Sequence, residues 1–570
     1  MSYFNYKLRL IFLTILFLSV YSCDEQEFIE EVPLDFFSPE NSYQTITNFE
    51  SALTDLYARV RNIHYGGNNQ NYFAHFLATD VAKHARGDAN RFGDYDVWLV
   101  PTNGMVEFHW DNWYKVIANA NTIISRLPDS ELTDDQKVAI EAEAKFFRAL
   151  SFRYLVYLYG GVPLLLDEVS SPKTNFSRAT KIEVLNQIIE DAQVAADQLP
   201  DISEVVDGKV SNLVAHHLLA ETYISLENYD RAVAELSIVI EDPNTSLMTD
   251  RFGSKANENP IDEYLDLGEG DVYWDLFQQG NQNRSSGNKE ALWVAQMEID
   301  VPGGFLESSG GSRNNLERWA GPVPWLTFQD PDGNEGSLGF GQSNYNSGGR
   351  GVSFMMNTDF YLNDLWEDDW NSDIRNASHN IIRDFVYTNP ESVWFDSSAV
   401  KYPSPTWINQ NWRWYPYPSK ITTAHDHPDA LFENKDLGTL KTTAGSTYRD
   451  MYYLRLAETY LLRAEAYLRQ GDLVNAANDI NMLRERSNAT LISESDVTLD
   501  YILDERAREL VYEEQRRITL HRTGTLVDRV RKYNDLNGDE IKDHHELWPI
   551  PFDEIEANKD AVLEQNPGYN

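Results

Sequence analysis

Two stretches far apart in the chain repeat one another: AETYISLENYDRA at 220–232 and AEAYLRQGDLVNA at 464–476. In register, Ala220 matches Ala464, Glu221 matches Glu465, Tyr223 matches Tyr467 and Ala232 matches Ala476. Each reads as helix, tight turn, helix. Alanine at the contact positions lets two helices approach closely, and tyrosine fills the space between turns. The turns are Glu227-Asn228 and Gln470-Gly471, where Asn or Gly takes the left-handed conformation that ends a helix. Asp230 and Asp472 read as caps of the helices that follow. A helix pair of this kind cannot bury its apolar face alone, so it must stack on others. The chain is thereby constrained to a mainly helical, layered fold.

The units resemble tetratricopeptide repeats. Other segments share their period. The stretch 134–161, DDQKVAIEAEAKFFRALSFRYLVYLYGG, has an acidic start, apolar residues three and four apart, and a Gly-Gly stop before Pro163. WDNWYKVIANANTIISRL at 110–127 sets Trp110, Tyr114, Ile117 and Asn121 along one side. ILDERARELVYEEQRRITLHR at 502–522 reads as one long helix with charges of both signs on a wet face. From about 250 to 450 the helical period fades and Gly, Asn, Ser, Pro and Trp rise. The expected organisation is a single domain over 23–570, with helical repeats over about 40–250 and 450–525 and a loop-rich insertion over about 250–450.

Residues 1–22 bring Lys7 and Arg9 ahead of the apolar run IFLTILFLSV. That is the layout of a signal peptide, too short to span a bilayer. The single cysteine of the chain, Cys23, follows directly. Ser22-Cys23 looks like a bacterial lipobox, in which the thiol is acylated after cleavage, although Tyr21 is bulkier than usual there. One cysteine excludes any disulfide within the chain. Acidic residues outnumber basic ones by 90 to 48, a net charge of −42, which argues against nucleic acid as a partner.

Five stretches in order resemble the SusD/RagB family, the surface glycan-binding lipoproteins of Bacteroidetes. They are WDNWYKVIANAN with Trp110, Tyr114, Ile117, Ala120 and Asn121; 142–168 with Arg148-Ala149 leading to Gly-Gly-Val-Pro; and 453–472 followed by 480–489. DERARELVYEEQRRITLHR at 504–522 is the fourth, with Thr519 where the family often has Asp, and the Pro-Ile-Pro and Gln-Asn-Pro-Gly-Tyr ending at 547–569 is the fifth. The resemblance implies a mainly α, SusD-like fold with four tetratricopeptide-like helix pairs and no catalytic activity. It also implies an outer-membrane, surface-exposed position and a SusC-like TonB-dependent transporter that receives captured oligosaccharide. The acidic DEQE after Cys23 is similar to the family's surface-export signal, or is a solvated linker.

A sugar presents C–H faces and hydroxyl edges, so its site needs exposed rings beside Asn, Asp, Arg or Gln. The resemblance places such a site in loops of the first third and of the insertion. The first region, 66–98, offers Tyr72, Tyr95 and Trp98 with Asp80, Arg86, Asn90 and Arg91. The second offers Trp274, Trp319 and Trp325, with Trp319 the leading stacking candidate, while Trp110, Trp113, Trp293 and Trp548 read as core. Lys83, His84, Arg86 and Arg91 form a basic cluster that reads either as a uronate or sulfate site or as internal pairing with Asp80, Asp88, Asp94 and Asp96. Competing readings are a glycoside hydrolase, a lid for peptide or another nutrient, and a protein-binding scaffold. No cofactor is expected. NDLNGDEI at 534–541 reads as a turn or as a calcium loop through Asp535, Asn537, Asp539 and Glu546, with glycine at the fourth position rather than the sixth. HDH at 425–427 and DHHE at 543–546 read as turns, without a metal-binding spacing.

Overall fold

The computed structural model describes residues 43–66, 70–87, 92–297, 314–324, 328–406 and 411–569. Eight long helices stack in chain order: α1 (Ile46–Tyr65), α2 (Gly104–Arg126), α3 (Asp134–Tyr159), α4 (Lys181–Gln198), α5 (Asn212–Ser225), α6 (Tyr229–Ile240), α7 (Leu456–Gln470) and α8 (Leu473–Arg486). Each packs on the next, and α7 docks directly on α6 across the insertion. Thr133 and Thr180 start α3 and α4 with capping boxes to Gln136 and Glu183. One apolar core runs from α1 through the insertion to the C-terminal segment. Among the described residues no helix is long and apolar enough to cross a membrane.

The alternating alanines and tyrosines lie where the repeat requires them. Ala220, Ala232, Ala464 and Ala476 are buried, and both helix ends close by the same hydrogen-bond pattern. Asn228 N donates to Tyr223 O at 2.8 Å, and Asp472 N donates to Tyr467 O at 2.9 Å. The left-handed residues are Glu227 (φ +59°) and Gly471 (φ +82°), so Glu227 takes the role expected of Asn228. Asp472 caps α8 through Asn475 N, but Asp230 sits inside the first turn of α6 and accepts instead from Gln470 Nε2 at 2.7 Å. The two distant turns therefore touch, as stacked repeats must.

The remaining motifs are hydrogen-bonded clamps. Asn121 on α2 donates to Leu165 O and accepts from Arg148 on α3, whose guanidinium grips Asp191 on α4 with two bonds of 2.7 Å. Tyr114 donates to Pro163 O, fixing the Gly-Gly-Val-Pro exit from α3. Near the C-terminus, Asn566 donates to Tyr159 O and Trp548 O. The segment 502–522 departs from expectation. It is two helices, α9 (Leu499–Leu510) and α10 (Arg516–Thr523), broken around Tyr512 at φ +60°. Its charges are buried rather than wet. Glu505 and Glu509 contact Arg375, Arg455, Arg484 and Arg486, and Arg506 pairs with Glu458 and Glu514. Charge of both signs on one helix can leave water only when each group meets a partner, which the insertion and α8 supply.

The insertion contains short two-stranded pairings and 3-10 turns instead of long elements. Strand Ala291–Ala295 pairs antiparallel with Met451–Arg455, so the insertion starts and ends on the helical stack. Trp293 is buried there, as are Trp110, Trp113 and Trp548 in the core.

Candidate functional site

Strand Ala82–His84 pairs antiparallel with Met355–Asn357, joining the first-third loop to the insertion. The ladder continues as Ala85 N donates to Phe354 O at 3.0 Å and Arg86 Nη2 donates to Val352 O at 2.8 Å. A short helix, Leu316–Ala320, docks alongside: Val352 N donates to Arg318 O and Phe354 N to Trp319 O. Residues 411–415 close the third side, where Ser353 Oγ donates to Arg413 O and Tyr415 hydroxyl to Met355 O. Glu317 anchors the short helix from below. Its carboxylate contacts the His427 ring at 3.0 Å and accepts from Arg350 N and Thr422 Oγ1.

These elements present a layered platform. The Arg86 guanidinium lies 4.5 Å from the Phe354 ring and 4.7 Å from Trp412, and Arg413 lies 4.4 Å from Trp412. Arg86 is exposed; Phe354, Trp412 and Arg413 are half-buried. Burial and the neighbouring Arg86 charge both pull the Arg413 pKa down. Stacked guanidinium and aromatic planes hold one another rigid and set ring surface beside guanidinium groups, the pairing of chemistries that a sugar face and a hydroxyl or acidic edge require.

Of the sequence candidates, Arg86 stands on this platform. Trp319 does not offer a face: it is 6% exposed, covered by Phe354 at 4.3 Å and Phe73 at 5.2 Å, and it props the platform from beneath. Trp98 stacks on Phe92 inside the core, and buried Tyr95 bonds to Ala78 O. Trp274 is buried with its Nε1 donating to Tyr345. Asp80 is buried between Arg516 and Arg529, at 2.6 Å from each; burial works to raise its pKa, but the two guanidiniums bring it down to about 2. These four residues are structural: Tyr95 and Trp98 share one short helix, Trp274 sits on another, and all four side chains are buried. Cys23, Asn90, Arg91 and Trp325 lie outside the described residues, as does the side chain of Tyr72.

The basic cluster divides differently from either expectation. Lys83 pairs with Asp535 at 2.6 Å, and His84 is buried near Phe354. Asp96 pairs with Lys542 and approaches His544 and His545. His545 Nδ1 accepts from Lys542 N, so both the acid and one ring are already engaged. Three of the four residues of the calcium reading have separate partners: Asp535 meets Lys83, Asn537 donates to Phe92 O, and Glu546 accepts from Val527 N. Phe354, Trp412 and Arg413 were not among the sequence candidates. The alternating Trp-Arg-Trp of 412–414 in a proline-rich segment was the available signal.

The comparisons with known proteins agree with this architecture. Residues 307–569 match the model of the SusD family, and residues 34–224 match one described as starch-binding and associating with the outer membrane. The chain is SusD-like over these two segments, which together take in most of its length. A SusD-like protein of Formosa agariphila is 25% identical over 98% of this chain and 99% of its own length. The starch-binding protein SusD of Bacteroides thetaiotaomicron is 38% identical over 23% of this chain and 24% of its own. Among solved structures, a laminarin-binding SusD-like protein superposes with a TM-score of 0.63 at 22% identity, covering 92% of this chain and all of its own. A SusD homologue from B. thetaiotaomicron reaches 0.67 at 18% identity, over 93% and 98%. The named relatives are described as starch-binding and laminarin-binding proteins rather than as glycoside hydrolases.

Proposed function

We propose that this SusD-like chain captures oligo- or polysaccharide at the outer cell surface and delivers it to a SusC-like TonB-dependent transporter. The observation that carries the reading is the Phe354–Arg86–Trp412–Arg413 platform, which combines ring surface with guanidinium donors on an otherwise acidic molecule. Relatives named as starch-binding and laminarin-binding support it. Cys23 would carry the lipid that holds the protein at the membrane.

The test is retardation of residues 24–570 in native gels containing neutral and acidic polysaccharides. The expected result is retardation by at least one polymer without release of reducing ends. Trp412→Ala should weaken it about tenfold, near 1.4 kcal/mol, because a stacked ring is removed. Unchanged binding by that variant would dismiss the platform. Binding only to peptide would favour the other lid reading.

A further inference from the structure

A cleft of about 890 Å³ opens in the insertion between residues 264–267, 370–384 and 396–398, and extends to Asn488 just beyond α8. It shares no residue with the platform. Its volume lies in the range of ligand-binding clefts. Trp370 stands in it with 41% of its surface exposed, the most open tryptophan among the described residues. An indole left in water needs a reason, since the other described tryptophans are buried or half-buried.

Arg383 braces that ring, with its guanidinium 4.6 Å from the indole centroid. The guanidinium is held by neutral acceptors: Nη2 donates to Leu362 O at 2.8 Å and to Asn376 Oδ1 at 2.5 Å. Its Nε is buried without an acceptor among the described residues. No described carboxylate lies within 4.0 Å of Arg383. Four acids line the cleft: Asp266 accepts from Gly268 N, Asp396 is exposed, and Asp373 and Asp384 are engaged elsewhere. Asp384 accepts from Phe385 N at 2.8 Å and Val400 N at 3.2 Å, and Asp373 is paired with Arg375 at 2.7 Å. Burial draws the Arg383 pKa down to about 10, which still leaves it charged at neutral pH.

An arginine without an acid, in a protein with 90 acidic residues, is unlike its neighbours. Arg375, Arg484, Arg486 and Arg508 each meet a carboxylate within 3.4 Å. An indole surface beside an uncompensated guanidinium suits a pyranose ring that carries a sulfate or carboxylate, the ring on the indole and the anion on the arginine. Asn371, Ser378 and Ser398 along the cleft supply donors and acceptors for hydroxyls.

We infer that the Trp370–Arg383 cleft is a second saccharide site, selective for sulfated or uronate-bearing glycan. It rests on the reading that the chain binds glycan, and the following experiment separates the two. Wild type, Trp370→Ala, Arg383→Gln and Trp412→Ala are compared in native gels with chondroitin sulfate, alginate, carrageenan and neutral laminarin. Hydrogen exchange of residues 370–384 is followed with the polymer that binds best. The expected result is retardation by an anionic polymer that weakens at least tenfold in Trp370→Ala, with protection of 370–384. Arg383→Gln should bind the sulfated polymer no better than its chemically desulfated form. Laminarin retardation should be unaffected by Trp370→Ala. The inference is overturned if no anionic polymer binds, if Trp370→Ala binds them all as wild type does, or if 370–384 gains no protection. Loss in Trp412→Ala alone would leave the platform standing and remove the cleft; loss in Trp370→Ala alone would do the reverse. Trp370 is exposed, so its variant folds even if Arg383→Gln does not.

Discussion

Glu509 shows how individual charges are made to serve the interior. Its carboxylate is fully buried and touches three guanidiniums, Arg375 at 3.1 Å, Arg455 at 2.9 Å and Arg486 at 2.5 Å. Burial alone would raise its pKa, but the three arginines hold it well below the usual carboxylate range. Such an ion network adds little relative to a well-packed apolar core, yet breaking it leaves buried charge without a counter-ion. Glu509→Gln keeps the shape and removes the charge. It should destabilise the protein by about 3–5 kcal/mol, the cost of unpairing a buried ion. Urea denaturation checks this; a loss under about 1 kcal/mol would mean that Glu290 and Glu513 compensate alone.

At the scale of elements, the two repeat turns offer a matched comparison. Both end a helix on a left-handed residue, and both close with the same bond across five residues. One uses Gly471, whose missing side chain would meet nothing within 4 Å; the other uses Glu227. A side chain in this conformation costs about 1–2 kcal/mol, partly offset by its smaller unfolded-state freedom. Gly471→Ala should therefore destabilise by about 1 kcal/mol and Glu227→Gly should stabilise by about 0.5 kcal/mol or more. Thermal unfolding of the two variants should move in opposite directions; movement in the same direction would mean that the turns are not equivalent. The repeat was legible in the sequence because helix packing imposes a period on Ala and Tyr. The platform was less so. Trp319 and Trp412 both lie in irregular, proline-containing segments, and composition cannot say which ring faces water. Their difference arises from pairings between 82–84 and 355–357, which are remote in sequence. The burial of the charges in 504–517 is not legible from that segment for the same reason, since their partners come from other elements.

For the whole molecule, these buried groups set a response to acid. His64, His217 and His521 are buried, and desolvation brings their pKa values down to about 3 from an ordinary 6.5. Burial opposes ionisation of Glu221 and Glu505, but Arg153 beside the first and Arg375, Arg508 and Arg484 beside the second bring both to about 2 from 4.5. Asp80 is likewise held at about 2 from 3.8. In each case the unfolded chain binds protons at a higher pH than the folded one. The stability these groups contribute is complete above the unfolded pKa and is lost as pH falls towards the folded one. Two windows follow. Below pH 6.5 the unfolded histidines take up protons and the unfolding midpoint begins to fall; below 4.5 the carboxylates add to the slope. Urea midpoints measured from pH 8 to pH 3 should be level above 7, decline from about 6, and drop steeply below 4.5. A midpoint that stayed level down to pH 5 would show that the histidines protonate inside the fold, and that its buried rings reach water.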